Sequence, residues 1–195
     1  RSDVGTWYYD FERAIPFVPA MIIPYMSIDL FFVAAPFLCL SHQELRILSR
    51  RIVCAILVAG VCFLLFPLQL AVERPDASGP IGAVFNWFRE VDLPYNLCPS
   101  LHITLRTILA AHFARHTSGL ARLASHVWFS LIGVSTLLTY QHHIVDVAGG
   151  FILATLCFYI VRPAPWRMPV QSGGRIGRRY LWGAALLAGL ATWIG

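Results

Sequence analysis

The stretch Ile52–Val72, IVCAILVAGVCFLLFPLQLAV, decides the class of fold. It holds no charged residue. As a helix rising about 1.5 Å per residue it would reach roughly 30 Å, the thickness of a bilayer's hydrocarbon layer. A helix on the surface of a soluble domain shows a polar face. This stretch has none, so its solvent is lipid.

Composition extends that reading to the whole chain. Hydrophobic residues make up 57% and charged residues only 13% of 195 residues, where a soluble domain carries about 25% charged; mean hydropathy is +0.65. Apolar segments run over Ile15–Leu40, Ile52–Val72, Leu101–Ala114, Val127–Tyr140, Ile144–Val161 and Tyr180–Ile194. The expected fold is an all-α integral membrane bundle of about six transmembrane helices. A membrane-embedded core would cover 1–163, an Arg/Gly/Pro linker 164–179 and an additional transmembrane segment 180–195. Pro16, Pro19 and Pro24 predict a kinked or interfacial start to the first segment. Trp87 and Phe88 predict a short helix over Phe85–Glu90 lying at the interface. The chain opens on Arg1 and stops at Gly195 inside an apolar run, so it reads as a fragment with room for one more spanning helix before Arg1.

All 15 basic residues are arginines. Most fall in 42–51, 115–126 and 162–179, and the positive-inside rule places those loops in the cytoplasm. The Glu73–Pro99 loop and the Tyr140–Ile144 turn then face outward, in the manner of a bacterial inner-membrane protein with its site in the periplasm. Topology accounts for the net charge of +5, so no nucleic-acid partner is implied. Cys39, Cys54, Cys62 and Cys157 lie within apolar segments as small hydrophobes. No Cys-x-x-Cys spacing occurs, and no metal or other cofactor is expected.

Polar residues inside membrane segments mark function or pairing. Three places stand out, all at outward ends. In Cys98-Pro99-Ser100-Leu101-His102, Ser100 is a good N-cap, and the free N–H groups of a helix start attract anions. His102 sits in the first turn, with Arg106 four residues on along the same face. In Tyr140-Gln141-His142-His143-Ile144-Val145-Asp146, His142 and Asp146 stand i, i+4, so on a helix the carboxylate would hold one imidazole nitrogen and leave the other as nucleophile or base. His143 would point about 100° away, at the interface or behind the site. Gly149 and Gly150 would let a neighbouring helix approach. The third place is Arg74-Pro75, where Arg74 could reach an anion held near Ser100. Each motif has an ordinary reading too: a cap, a His–Asp pair closing a helix, a snorkelling arginine. Asp29, within a strongly apolar run, reads as a carboxylate paired with a buried Arg or hydroxyl. His112, His116 and His126 read as interfacial.

In order and spacing, these motifs resemble the type 2 phosphatidic acid phosphatase superfamily, which includes lipid phosphotransferases and shares its helical core with vanadium haloperoxidases. That family carries K-x6-R-P, P-S-G-H and S-R-x5-H-x3-D. Here the first is Arg74-Pro75 with Pro67 in the Lys position. The second is Pro99-Ser100-Leu101-His102, with Leu for Gly. The third is Ser135-Thr136, five residues, His142, three residues, Asp146, with Thr136 for Arg. The form most resembles the branch with inositol phosphorylceramide synthases and related bacterial proteins, over about Ile15 to Val161. The resemblance implies His142 as nucleophile forming a phosphohistidine, Asp146 orienting it, His102 protonating the leaving oxygen, and Arg74 and Ser100 binding phosphate. Arg106 is added here as a substitute for a missing basic residue, from its relation to His102 alone.

Three function classes follow. A lipid-phosphate phosphatase would act on a lipid phosphate or diphosphate, with water resolving the intermediate. A lipid phosphotransferase would use an alcohol acceptor instead. A non-enzymatic haem or metal protein using His102 and His142 as ligands would give Arg74 and the Pro99-Ser100 helix start no purpose. The lipid tail, the head group and the oligomeric state leave no mark on the sequence.

Overall fold

The computed structural model describes residues 4–91, 96–162, 174, 177, 178 and 180–182. Among these there is no strand. The helices are α1 (Ile22–Met26), α2 (Ile28–Leu38), α3 (His42–Leu65), α4 (Gly79–Val91), α5 (Leu101–His116), α6 (Gly119–Leu138) and α7 (Ile144–Ile160), with 3-10 turns at Asp10–Ala14 and Pro19–Met21. Three stretches are long and apolar enough to cross a membrane: Pro19–Leu38, His42–Leu65 and Gly119–Leu138. α7 is apolar but has 17 residues, and α5 has 16. At 1.5 Å per residue they reach only about 24–26 Å. The chain is thus all-helical and of membrane type, with three full-length candidates among the described residues where six were expected. Most of 164–195, including nearly all of the sixth segment, lies outside those residues.

α5 is the central helix and packs against α2, α3, α6 and α7. That position explains how a short helix carrying His102, Arg106 and His112 sits in an apolar chain. Several of its polar side chains are answered by neighbouring helices. Thr104 Oγ1 donates to Gly150 O at 3.0 Å, Arg106 Nε donates to Phe129 O at 2.6 Å, and His112 Nε2 lies 3.0 Å from Ala35 O. Around them Ile108, Leu109, Phe113, Phe129, Ile132 and Leu153 form the buried core. α7 meets α5 at Gly150, where an added Cβ would stand 2.7 Å from Ser100 O and 2.8 Å from Ile103 Cβ. Only a glycine fits there. Leu30, Leu57, Leu64, Leu65 and Ile152 point outward and are exposed, the surface expected of a helix in lipid rather than in water.

Helix boundaries depart from the expected segments where local chemistry overrides hydropathy. α3 starts ten residues before Ile52 because Ser41 caps it, its Oγ accepting from Glu44 N at 3.2 Å while Glu44 Oε2 accepts from Leu40 N at 2.7 Å. Pairing a Ser cap with a Glu three residues on satisfies two orphan amides, so the basic stretch becomes the first turns of the helix. α3 ends at Leu65, before Pro67, which cannot donate and disfavours helix in the residue before it. The chain continues without helix through Leu68–Val72. Gly5, Leu68 and Asn96 meet there in isolated parallel bridges. The polar turn expected at 115–126 shrinks to Thr117–Ser118, with α6 starting at Gly119. The kink expected from the prolines of the first segment falls at Ser27, whose Oγ donates to Pro24 O at 2.7 Å. The short amphipathic helix expected at Phe85–Glu90 is α4, with Phe85 fully buried against Ile22 and Tyr25 and Trp87 exposed.

Two ends of the bundle can be told apart. At one, Arg51 donates to Val161 O at 3.0 and 3.1 Å, and His116 Nε2 lies 3.4 Å from Glu44 Oε2. At the other, the start of α5, the end of α6 and the start of α7 converge. The candidate site is built there.

Candidate active site

The turn between α6 and α7 is built on Thr136, whose carbonyl accepts from both Gln141 N (3.0 Å) and His142 N (3.2 Å). Tyr140 takes a left-handed conformation, φ 51°, uncommon for a bulky residue. It is held from both sides: Arg74 Nε donates to Tyr140 O at 2.8 Å, and Tyr140 Oη donates to Ile15 O at 2.7 Å. These bonds set where Gln141 and His142 emerge.

His142 and Asp146 are brought together, but not as two positions on one helix. α7 begins at Ile144 with His143 as its N-cap, so His142 lies in the turn before it. His142 Nδ1 stands 3.8 Å from Asp146 Oδ2, an ion-pair contact longer than a hydrogen bond. The same Oδ2 accepts from His143 N at 2.8 Å. Asp146, almost fully buried, therefore caps α7 first and faces His142 second. With Nδ1 on the carboxylate's side of the ring, Nε2 is turned away from it.

His143 is not interfacial. Its side chain is buried, with Nδ1 2.8 Å from Glu12 Oε2, and Ala71 N donates to its Nε2 at 3.1 Å. An Nε2 that accepts must carry no proton, so the proton sits on Nδ1 and is given to Glu12. Glu12 also accepts from Ile144 N at 3.3 Å and Tyr9 N at 3.0 Å. Two carboxylates, Glu12 and Asp146, thus meet the positive N-terminal end of α7, where negative charge is favoured. Sequence reasoning missed Glu12. Its only signal was an acidic residue shortly before an apolar run, with nothing to connect it to a turn 131 residues away.

His102, in the first turn of α5, stacks on Tyr25 with centroids 4.0 Å apart and planes 9° from parallel. His102 and His142 both line a cavity of about 220 Å³, together with Tyr25, Asp29, Asn96 and Gln141 on its polar side and Ile28, Phe32, Leu101 and Leu105 on its apolar side. Among the described residues, His102 Nε2, His142 Nδ1 and both amide atoms of Gln141 are buried without a hydrogen-bond partner. Leaving such a group unpaired costs about 1–3 kcal/mol. All three residues line the cavity, with His142 Nδ1 itself on the side of Asp146.

The residues expected to bind phosphate do not line this cavity. Ser100 is fully buried as the cap of α5, its Oγ accepting from Ile103 N at 3.2 Å and its N donating to Asp146 O at 3.0 Å. Arg74 braces the Tyr140 turn. Arg106 crosses to α6, bonded to Phe129 O, close against Gly133 and 5.6 Å from the Phe151 ring centre. Thr136, in the family's arginine position, donates its hydroxyl to Gly133 O. Asp29 was expected to be paired. Instead it is exposed at the cavity's edge, with no hydrogen-bond or ion-pair partner among the described residues. Burial pushes the Cys98 thiol, just ahead of α5, up to about 11, helped by the nearby Asp146 charge.

Among the described residues no three His, Cys, Asp or Glu side chains are grouped to hold a metal ion. No protein-family model, curated protein or solved structure matches the chain.

Proposed function

We propose that this chain is a membrane lipid-phosphate phosphatase of the type 2 phosphatidic acid phosphatase superfamily, acting through a phosphohistidine. The observation that carries the reading is that His102 and His142 line one amphipathic cavity, with Asp146 on the Nδ1 side of His142 so that Nε2 is turned away from the carboxylate. A lipid phosphate needs such a cavity: a polar end for the phosphorus and an apolar wall for the chain beside it.

In the proposed reaction, His142 Nε2 attacks phosphorus as the bond from phosphorus to the lipid oxygen breaks. His102 gives that oxygen its proton, and the lipid alcohol leaves. Water, losing a proton to His102, then attacks the phosphohistidine, the P–N bond breaks, and phosphate is released. Asp146 faces the Nδ1 side of His142 and favours the imidazolium character that develops on attack. The protein holds both imidazoles in place before substrate arrives, which is where such catalysis gains most.

The outward orientation is part of the proposal. Arg46, Arg50, Arg51, Arg115, Arg122 and Arg162 lie toward the end opposite the site, and the positive-inside rule then supports the proposal of a cytoplasmic end there and a site facing the periplasm of a bacterial inner membrane. Among the described residues no arginine lines the cavity, which favours a second reading, transfer of a phospho-head group to an alcohol acceptor, since a phosphodiester donor carries less charge than a phosphate monoester. The test is His142→Ala assayed against phosphatidic acid and a polyprenyl diphosphate, with vanadate as control. Turnover should fall at least a thousandfold. Full activity in that variant sinks the mechanism.

A further inference from the structure

Helix α4 packs on the Pro19–Met21 turn and on α1, the first residues of the spanning-length stretch Pro19–Leu38. That contact fixes α4 at the end of a span, at the depth of a bilayer surface. Its inner side carries two aromatic contacts, and each leads toward one histidine. Phe88 meets Tyr25 edge-on with centroids 5.3 Å apart, and Tyr25 is the ring stacked on His102. Phe85 meets Phe17 edge-on at 5.3 Å, and Phe17 packs at 5.3 Å on Tyr140, in the turn that presents His142. Close-packed rings have little room to shift independently, so the position of α4 is felt at both imidazoles. The helix also has more apolar surface than these contacts use. At about 100° per residue, Trp87, Pro80, Val84, Ile81, Phe88 and Phe85 fill one arc of roughly 160°, with Asn86 and Arg89 outside it. Phe85 and Phe88 pack into the cluster around Ile22 and Tyr25. At the other edge of the arc Val84 is 44% and Trp87 56% exposed, while Arg89 is turned to Asp76, its Nη1 3.2 Å from Oδ1. A helix on a soluble core turns polar residues to its exposed side. An exposed indole beside an aliphatic ridge is what a bilayer surface favours.

We infer that α4 is a bilayer-seated brace: its Val84–Trp87 edge rests in the lipid leaflet beside the site, and that seat holds His102 and the His142 turn in their working positions. The catalytic consequence rests on the proposed roles of the two histidines; the lipid seat does not. Phe85 and Phe88 are then positioning residues, which act on the site through Phe17 and Tyr25. The chain would be fully active only with α4 settled in lipid, because small displacements of catalytic groups cost rate steeply.

The test uses the full chain in lipid nanodiscs at one chain per disc. The double substitution Val84→Ala with Trp87→Ala removes the exposed edge without touching the core. Alanine is the better helix former, so the variant cannot act by weakening the helix itself. Amide hydrogen exchange across α4 should become about tenfold faster in the variant, with α3 and α6 unchanged. Equal exchange overturns the lipid seat. So does wild-type protection that appears only when two chains share a disc, since a second copy would then be the partner. Diacylglycerol release from phosphatidic acid supplies the other arm. The variant should lose about tenfold in kcat with KM within about threefold, because loosened histidines lower turnover rather than binding. An unchanged kcat, with or without a raised KM, overturns the brace. His142→Ala keeps the two ideas apart: full release there removes the phosphorus chemistry, while its α4 exchange, expected to match wild type, still judges the seat.

Discussion

Replacing Glu12 by alanine removes the carboxylate that ties the N-terminal segment to the start of α7 by hydrogen bonds. Its carboxylate accepts from Tyr9 N at 3.0 Å, His143 Nδ1 at 2.8 Å and Ile144 N at 3.3 Å. The His143 and Glu12 side chains are 5% and 4% exposed, so solvent does little to screen the contact or to replace it. A hydrogen bond from the neutral imidazole or an amide to a carboxylate contributes about 1.5–3 kcal/mol. Three such bonds are lost, but the 3-10 turn at Asp10–Ala14 is short and can move aside to admit water, so a net cost of about 3 kcal/mol is expected. Glu12→Gln keeps the shape but offers one acceptor oxygen where Oε2 now serves two donors, and should cost roughly 1–2 kcal/mol. The local consequence is release of the segment around Arg13, whose side chain is exposed while its backbone is held in the turn. When opening is fast relative to cleavage, the rate follows the open population. A loss of about 3 kcal/mol then means cleavage at Arg13 by trypsin roughly 150 times faster. The assay is limited proteolysis of the detergent-solubilised protein, with global unfolding measured in parallel. The expected order is Glu12→Ala fastest, then Glu12→Gln, then wild type. Equal cleavage rates in all three would refute the reasoning, since they would mean that the carboxylate holds nothing that water cannot.

Two other outcomes follow from the geometry. Arg106→Gln should leave lipid-phosphate turnover within about threefold while lowering stability by roughly 1–3 kcal/mol, because its guanidinium serves Phe129 O and the Phe151 ring rather than the cavity; a tenfold loss of turnover at unchanged stability would put it on the phosphate instead. Cys98, with its thiol pushed up to about 11, should label with maleimide about a hundredfold more slowly at pH 7 than an exposed thiol. The rate should rise about tenfold per pH unit up to pH 10, and faster labelling is expected in Asp146→Asn. Measured against a Cys98→Ser control, a rate independent of pH would contradict this.

How much of this was legible in the sequence depended on whether the determining interaction was local. α5 and α7 begin where a cap and a turn are written in adjacent residues, Ser100 before Leu101 and His143 before Ile144. α3 was misjudged at both ends because hydropathy reports where a helix could be buried, not where Ser41 starts it or Pro67 stops it. The juxtaposition of His102 and His142 followed from their motifs. What those motifs could not reveal is that the arginines near them are spent on carbonyls, Arg74 on Tyr140 and Arg106 on Phe129. Side-chain reach is set by helix rotation and by small residues such as Gly133, and neither leaves a trace in spacing. Asp29 was misjudged for the same reason: an apolar run gives a carboxylate no visible exit, yet the break at Ser27 turns it to the cavity's edge.

These misplacements bear on what the site can do. A dianionic phosphate requires fixed positive charge to offset its desolvation, and among the described residues the cavity's polar lining is two imidazoles, two amides, a phenol and a carboxylate. The arginines are close in sequence to the site but rigidify it: Arg74 fixes the left-handed Tyr140, and Arg106 fixes α5 against α6. Rigid placement of His142 helps any attack at phosphorus, whatever the charge of the substrate. Charge neutralisation helps most when the substrate is a monoester or a diphosphate. Within the proposed function, a chain that invests its basic residues in positioning and leaves a carboxylate at the cavity's edge favours the second reading, in which the donor is a singly charged phosphodiester, over the first. On that reading Pro67 and Thr136, which stand where the resembled family carries basic residues, belong to the same shift in electrostatics.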